Sequence, residues 1–157
     1  MPAKTAVPAT VTWGLLAAWV LNDVEELATM ARFSQVPQRR VNIAIGLMGC
    51  VVAAASAEGA RTGGRSRFFR TAVTAFGLHG VTHLASAAAL GRYTPGVATA
   101  PTVVIPYALW AAHRMRSAGM PLTNGDALEA VLHGLGLAAV TTATVHAVAW
   151  LAMRRST

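Results

Sequence analysis

The sequence predicts an all-α polytopic membrane helix bundle of about five transmembrane helices, forming one transmembrane domain over 1–157. Three observations carry that expectation. Of 157 residues, 54% are hydrophobic and only 12% are charged, against roughly a quarter charged in an ordinary soluble domain. Apolar stretches at approximately 11–31, 42–60, 70–90, 97–115 and 127–152 each approach the ~20 residues that a bilayer core requires. The breaks between them each hold a turn former and a positive charge: Pro37-Gln38-Arg39-Arg40, the run from Arg61 to Arg67, Gly91-Arg92-Tyr93-Thr94-Pro95-Gly96, and Arg116 through Gly125.

Each stretch has its own local signals. The first follows Lys4, as a signal peptide's core would, but continues through Asn22-Asp23-Val24-Glu25-Glu26 without a convincing cleavage site, and so reads as a retained span. On the second, Gly49, Ala53 and Ala57 recur every four residues and predict a close helix approach. Pro101 and Pro106 fall inside the fourth, which predicts a kinked span of the kind membranes tolerate when neighbours resatisfy the backbone. The fifth opens on Thr123-Asn124-Gly125-Asp126, a helix-capping sequence. Lys and Arg are spread almost evenly between the two sides, so the positive-inside rule favours neither orientation. An odd number of spans puts the termini on opposite faces.

Charge and cysteine content exclude several function classes. The net charge is +7, yet the basic residues sit in short clusters between apolar stretches, flanking the spans rather than forming a nucleic-acid surface. Cys50 is the one cysteine and lies in an apolar run, so neither a disulfide framework nor a thiolate metal site is available.

Function is then sought where the membrane makes polarity expensive. An ionisable side chain at mid-membrane depth costs roughly 2.5–3.5 kcal/mol on insertion scales, so it persists where something pairs with it or needs it. The first span carries Asn22, Asp23, Glu25 and Glu26; the third carries His79 and His83, one turn apart on one face; the fifth has Glu129 and His133 early and His146 late. Spans one, three and five run parallel, so at 1.5 Å per residue Glu25, Glu26, His83 and His146 reach a common level. His79 falls about one turn shallower, nearer Asn22, while His133 and Glu129 belong to the opposite leaflet with His113. Trp19 stands one turn before Asn22 and Asp23 and is placed to line a pocket, whereas Trp13 and Trp150 read as interface anchors. The bland alternatives are packing histidines at His113 and His133, and a buried ion pair of the glutamates with Arg32 or Arg92.

Asn22-Asp23-Val24-Glu25-Glu26, with Asn42, the His79-to-His83 stretch, and Tyr93-Thr94-Pro95-Gly96-Val97-Ala98-Thr99 before Pro106, resembles the bacterial membrane family named for its HXXEE motif. That resemblance spans most of the chain. It implies a small multi-span protein of unassigned activity, integral to the bacterial cytoplasmic membrane. Asn22 stands where the motif has its histidine, whereas Glu25 and Glu26 match and carry over as the functional pair.

Three kinds of chemistry use such a cluster. The first expectation is an integral membrane enzyme of the isomerase or cyclase type, acting by acid–base catalysis on a small lipophilic substrate such as an isoprenoid or polyketide. Its catalytic residues are Glu26, Glu25, His83 and His79, with Glu26 the proton donor; its pocket is Asn22, Asp23, Trp19, His146 and Tyr93; it needs no cofactor. The second is a metalloenzyme in which Glu25, Glu26, His79, His83 and His146 supply the oxygen and nitrogen ligands that zinc or iron prefers. The third is a proton- or ion-coupled transport module, for which five short spans without an internal repeat are few, a shortage that a homo-oligomer would answer. Expected partners are the lipophilic small molecule and membrane lipids, and no nucleic acid.

Overall fold

A computed structural model describes residues 5–33, 36–120 and 127–154, with side chains described throughout these ranges except at Ala31, Ala149, 127–130 and 152–154. The apolar stretches become helices α1 (Ala9–Phe33), α2 (Gln38–Arg61), α3 (Arg67–Leu90), α4 (Ile105–Ser117) and α5 (Ala127–Arg154). A π-helical segment, Ala100–Val104, leads directly into α4. No strand occurs among the described residues. The capping sequence 123–126 lies outside them.

Local chemistry sets the boundaries. Ser66 caps α3 by accepting the Phe69 N–H at 3.4 Å, and Gly91 closes that helix in the left-handed conformation, φ 59°. The expected kink in the fourth stretch is a π turn. Pro101 and Pro106 have no N–H to donate, and a proline ring crowds the carbonyl four residues back in a regular α-helix. Widening the turn relieves this: the Ile105 N–H bonds to the Ala100 carbonyl, five residues away. The helix therefore starts at 100 rather than 97, and residues 91–99 form a connecting loop.

Helices α1 to α4 enclose the main core, built from Val11, Leu15, Ala18, Ala55, Phe69, Val73, Phe76, Val104, Ala111 and Met115. Helix α5 packs outside this group, against α2 and α3, and makes no contact with α1 among the described residues. Gly49 does face a neighbouring helix: a Cβ there would come within 2.9 Å of the Trp19 ring. The rest of the expected Gly49, Ala53, Ala57 stripe is corrected, since Ala57 is exposed and the buried face runs through Ala55, Ser56 and Gly59. A strict four-residue repeat advances about 40° per step on a 3.6-residue helix and so spirals off the contact.

Asn22, Asp23 and Glu26 are buried, at 0%, 7% and 8% exposure, while Leu109 and Val140 are 66% and 65% exposed. A few buried polar side chains inside an apolar core, with large apolar side chains on the outside, suit a bilayer. Three helical segments are long and apolar enough to cross a membrane: Gln38–Arg61, Arg67–Leu90 and Val131–Val148 within α5. Helix α1 carries Asp23, Glu25 and Glu26, and α4 has only 13 residues, so neither joins them.

Candidate functional site

Glu26 lies seven residues before the end of α1, and His83 lies seven before the end of α3. The two helices are parallel, so the polar side chains meet at one level. Asn22 and Glu26 share a face of α1 at one-turn spacing, and the Asn22 Nδ2 donates to Glu26 Oε1 at 2.6 Å. The same oxygen is 3.0 Å from His83 Nε2 and 3.3 Å from His79 Nε2. The two Nε2 atoms are themselves 2.8 Å apart, with the rings edge to face. Which of these nitrogens donates and which accepts depends on the two imidazole tautomers. Glu26, His79 and His83 are the group of described residues whose ligand atoms converge closely enough to hold a metal ion.

The two histidines differ in access. The His83 side chain is 12% exposed and the His79 side chain 44%. Gly96 accounts for part of the difference, because it sits directly on the His83 ring with φ +81° and leaves no room there for a Cβ. His79 instead borders an apolar cavity that Trp19 also lines.

Glu25 points elsewhere. About 100° separates adjacent residues on a helix, and that rotation turns Glu25 toward the 91–99 loop. Its carboxylate accepts the hydroxyl of Tyr93, the backbone N–H of Ala98 at 3.2 Å, and the N–H and hydroxyl of Thr99 at 2.7 and 2.5 Å. Two of these donors are the backbone amides just before the π segment, so Glu25 caps that helix start from another helix. The Thr99 hydroxyl also reaches Asn22 Oδ1, at 2.9 Å, and so links the Glu25 clasp to the Glu26 cluster. The Tyr93 hydroxyl, in the exposed loop, is pushed up to about 12 chiefly by its hydrogen bond to Glu25.

The remaining expected site residues separate from the triangle. His146 is half-buried on α5, beside Val145, which packs with Ala44 of α2; because α5 does not reach α1, the expected convergence of His146 with the glutamates does not occur. Tyr93 is an exposed loop residue bound to Glu25 rather than a pocket wall. Asp23 is buried next to Asn22 on α1. His79, expected a turn away near Asn22, reaches Glu26 itself. Glu26 pairs with histidines rather than with Arg32 or Arg92, and the Arg92 guanidinium lies over the Phe33 ring, 5.0 Å from its centroid. His133 meets Arg67 Nη2 at 2.8 Å near the opposite end of α3, and His113 is exposed. Thr99 and Gly96 were not singled out by type or spacing, although both fall in the loop stretch that carries the family resemblance.

A helical protein with apolar segments of membrane length and a buried carboxylate facing two imidazoles is the class that fold and site define. Within it, the sequence pattern of the family described as a protein of unknown function with HXXEE motif matches residues 13–111, well over half of the chain, and the chain belongs to that family. The matched region runs from α1 into α4 and contains both glutamates, both histidines and the 91–99 loop, while α5 lies beyond it. No curated protein and no solved structure matches the chain.

Proposed function

We propose that Glu26, His79 and His83 form the metal centre of an integral membrane enzyme that acts on a lipophilic substrate. The observation that carries this reading is the triangle of Glu26 Oε1 and the two Nε2 atoms, with edges of 2.8, 3.0 and 3.3 Å. Bonds of about 2.0–2.1 Å in tetrahedral array put neighbouring ligand atoms roughly 3.3–3.4 Å apart, so the triangle needs to open by only a few tenths of an ångström to cap an ion. Two histidines and one carboxylate leave coordination positions open, which is the donor set of catalytic zinc sites and of non-haem iron oxygenases. A metal there would supply Lewis acidity or an activated water. Asn22 would hold Glu26 in place through its 2.6 Å hydrogen bond, the supporting role that such ligands usually receive. We read Asn22 as occupying the histidine position of the family motif, as a neutral donor.

The membrane setting belongs to the same proposal. Helix α1 becomes a span once its carboxylates are counted as internal, and the π segment with α4 supplies 18 residues, about 27 Å at 1.5 Å per residue. Exposed Leu21 and Val24 on α1 and exposed Leu109 and Trp110 on α4 support lipid-facing surfaces on both. Five spans in a bacterial cytoplasmic membrane is the resulting picture.

Metal content tests it. Protein purified in detergent and loaded with Zn2+ or Fe2+ is expected to retain about one ion per chain, and His83→Ala to retain almost none. A wild-type chain that stays metal-free after loading overturns the reading. A second reading then stands on the same contacts, because the Glu26, His79 and His83 network is complete without an ion: the three groups form a proton relay for acid–base isomerisation or cyclisation.

A further inference from the structure

We propose that the cavity between α1, α2, α3 and α5 is the binding site for the hydrocarbon chain of the substrate, whose functional group is held at His79. The assignment of the reactive end rests on the metal-centre reading; the chain site rests on its own walls. The cavity has a volume of about 110 Å³, and Trp19, Val52, Phe76 and Leu137 form apolar walls contributed by all four helices. Among the described residues His79 is its one titratable wall residue. Thr141 also lines it, but its hydroxyl donates to the Leu137 carbonyl of its own helix at 2.6 Å. The polar side chains on the described walls are those of His79, Thr141 and Thr142, so a charged or sugar-like ligand would lose its hydration with little to replace it, whereas a hydrocarbon loses nothing.

The shape of the cavity narrows the class further. Its α3 wall runs from His79 back to Ala72, seven residues or about 10 Å at 1.5 Å per residue, parallel to the helices. A slender chain lying along the bundle fits that space. Ala72, Ala75 and Ala138 keep this partly open cleft free of the larger apolar side chains that would fill it. The wall at Trp19 is held open by Gly49, since a Cβ at that position would press within 2.9 Å of the indole. The void ends on the same imidazole whose Nε2 faces Glu26 and His83. A chain seated there has its terminal group beside the Glu26, His79 and His83 cluster.

The test is photolabelling of the full, metal-loaded chain in detergent with a ten-carbon alcohol carrying a diazirine in its tail. The expected result is saturable labelling on cavity residues such as Leu137 or Val52, competed by unlabelled decanol. Ala75→Phe and, independently, Ala138→Phe should each lower it at least tenfold while the bound metal measured on the same samples is unchanged. Two variants on different helices guard against one that fails to fold. Saturable labelling in a metal-free wild type would sustain the chain site and remove only the metal-centre reading. Labelling that does not saturate, that a phosphatidylcholine probe reproduces equally, or that survives both substitutions would show an ordinary lipid-filled crevice and overturn the proposal.

Discussion

Glu25 and Glu26 carry the same side chain on consecutive residues of one helix, yet their donors are of different kinds. Glu26 faces two imidazole nitrogens and the Asn22 amide, whereas Glu25 accepts two backbone amides and two hydroxyls from the 91–99 loop. Backbone N–H groups do not titrate or bind metals. A carboxylate filled by them fixes the position of a chain segment. Imidazoles can surrender or accept a proton, and they can turn a lone pair toward an ion. On the proposed metal-centre reading the pair divides into a ligand and an anchor, and the anchor holds the loop whose Gly96 rests on His83.

The widest separation is expected between Glu26→Gln and Glu25→Gln. The first keeps size and hydrogen bonding but removes the anionic ligand, so bound metal should fall below about a tenth of the wild-type level and turnover by on the order of 10²–10⁴. The second should leave metal content within a factor of a few. Elemental analysis of both variants checks this, and equal loss of metal would erase the distinction. The reverse order is expected for stability. Glu25→Ala removes the cap of two backbone amides at a helix start, the Ala98 one exposed, and should lower unfolding stability in detergent by about 1–2 kcal/mol.

Much of the bundle was legible because bilayer thickness makes helix length and polarity readable from composition alone. The meeting of Glu26 with His83 follows from two parallel helices and a rise of 1.5 Å per residue. The rotation of α1, which decides whether Glu25 or Glu26 turns inward, is set by packing that no local pattern encodes: Trp19 lies on Gly49, and the Tyr107 hydroxyl donates to the Val11 carbonyl at 2.7 Å. Helix α5 was expected at the shared level with His146, and depth alone is silent about lateral position; its seat on α2 and α3 takes His146 away from α1. The role of Thr99 depends on where a nine-residue loop folds back, a tertiary fact.

A finer probe compares two glycines. Gly91 and Gly96 both have positive φ, at 59° and 81°, so alanine strains the backbone at each by about 1 kcal/mol or more. Nothing lies within 4 Å of a Cβ at Gly91, but the His83 ring occupies that space at Gly96. Gly96→Ala should therefore weaken metal binding roughly 10- to 100-fold, the range seen when a ligand's support is disturbed, and Gly91→Ala should not. Equal metal affinity in the two variants, measured by competition with a chelator, would mean that the loop does not position His83.

The smallest effect is expected at Tyr93, where the clasp meets water. Its hydroxyl is raised from about 10 to about 12, first by the hydrogen bond to Glu25, then by partial burial and the negative charge of that carboxylate. A group whose pKa is higher in the folded state stabilises that state fully below its unfolded value, and the contribution fades as pH rises through the folded one. The Tyr93 contribution to closure should thus be intact at pH 9 and decline between pH 10 and 12. Tyr93 is 52% exposed, so solvent screens the interaction and the change should be modest. Amide hydrogen exchange cannot be followed conveniently at such pH, but labelling of a Thr94→Cys variant by a water-soluble maleimide after brief alkaline pulses can report loop opening. Tyr93→Phe in that background should show higher labelling at pH 9 and no further rise toward pH 12. A rise of equal size in the phenylalanine variant would assign the alkaline opening to the arginines or to the bundle as a whole, and would leave Glu25 holding the loop through Ala98 and Thr99 alone.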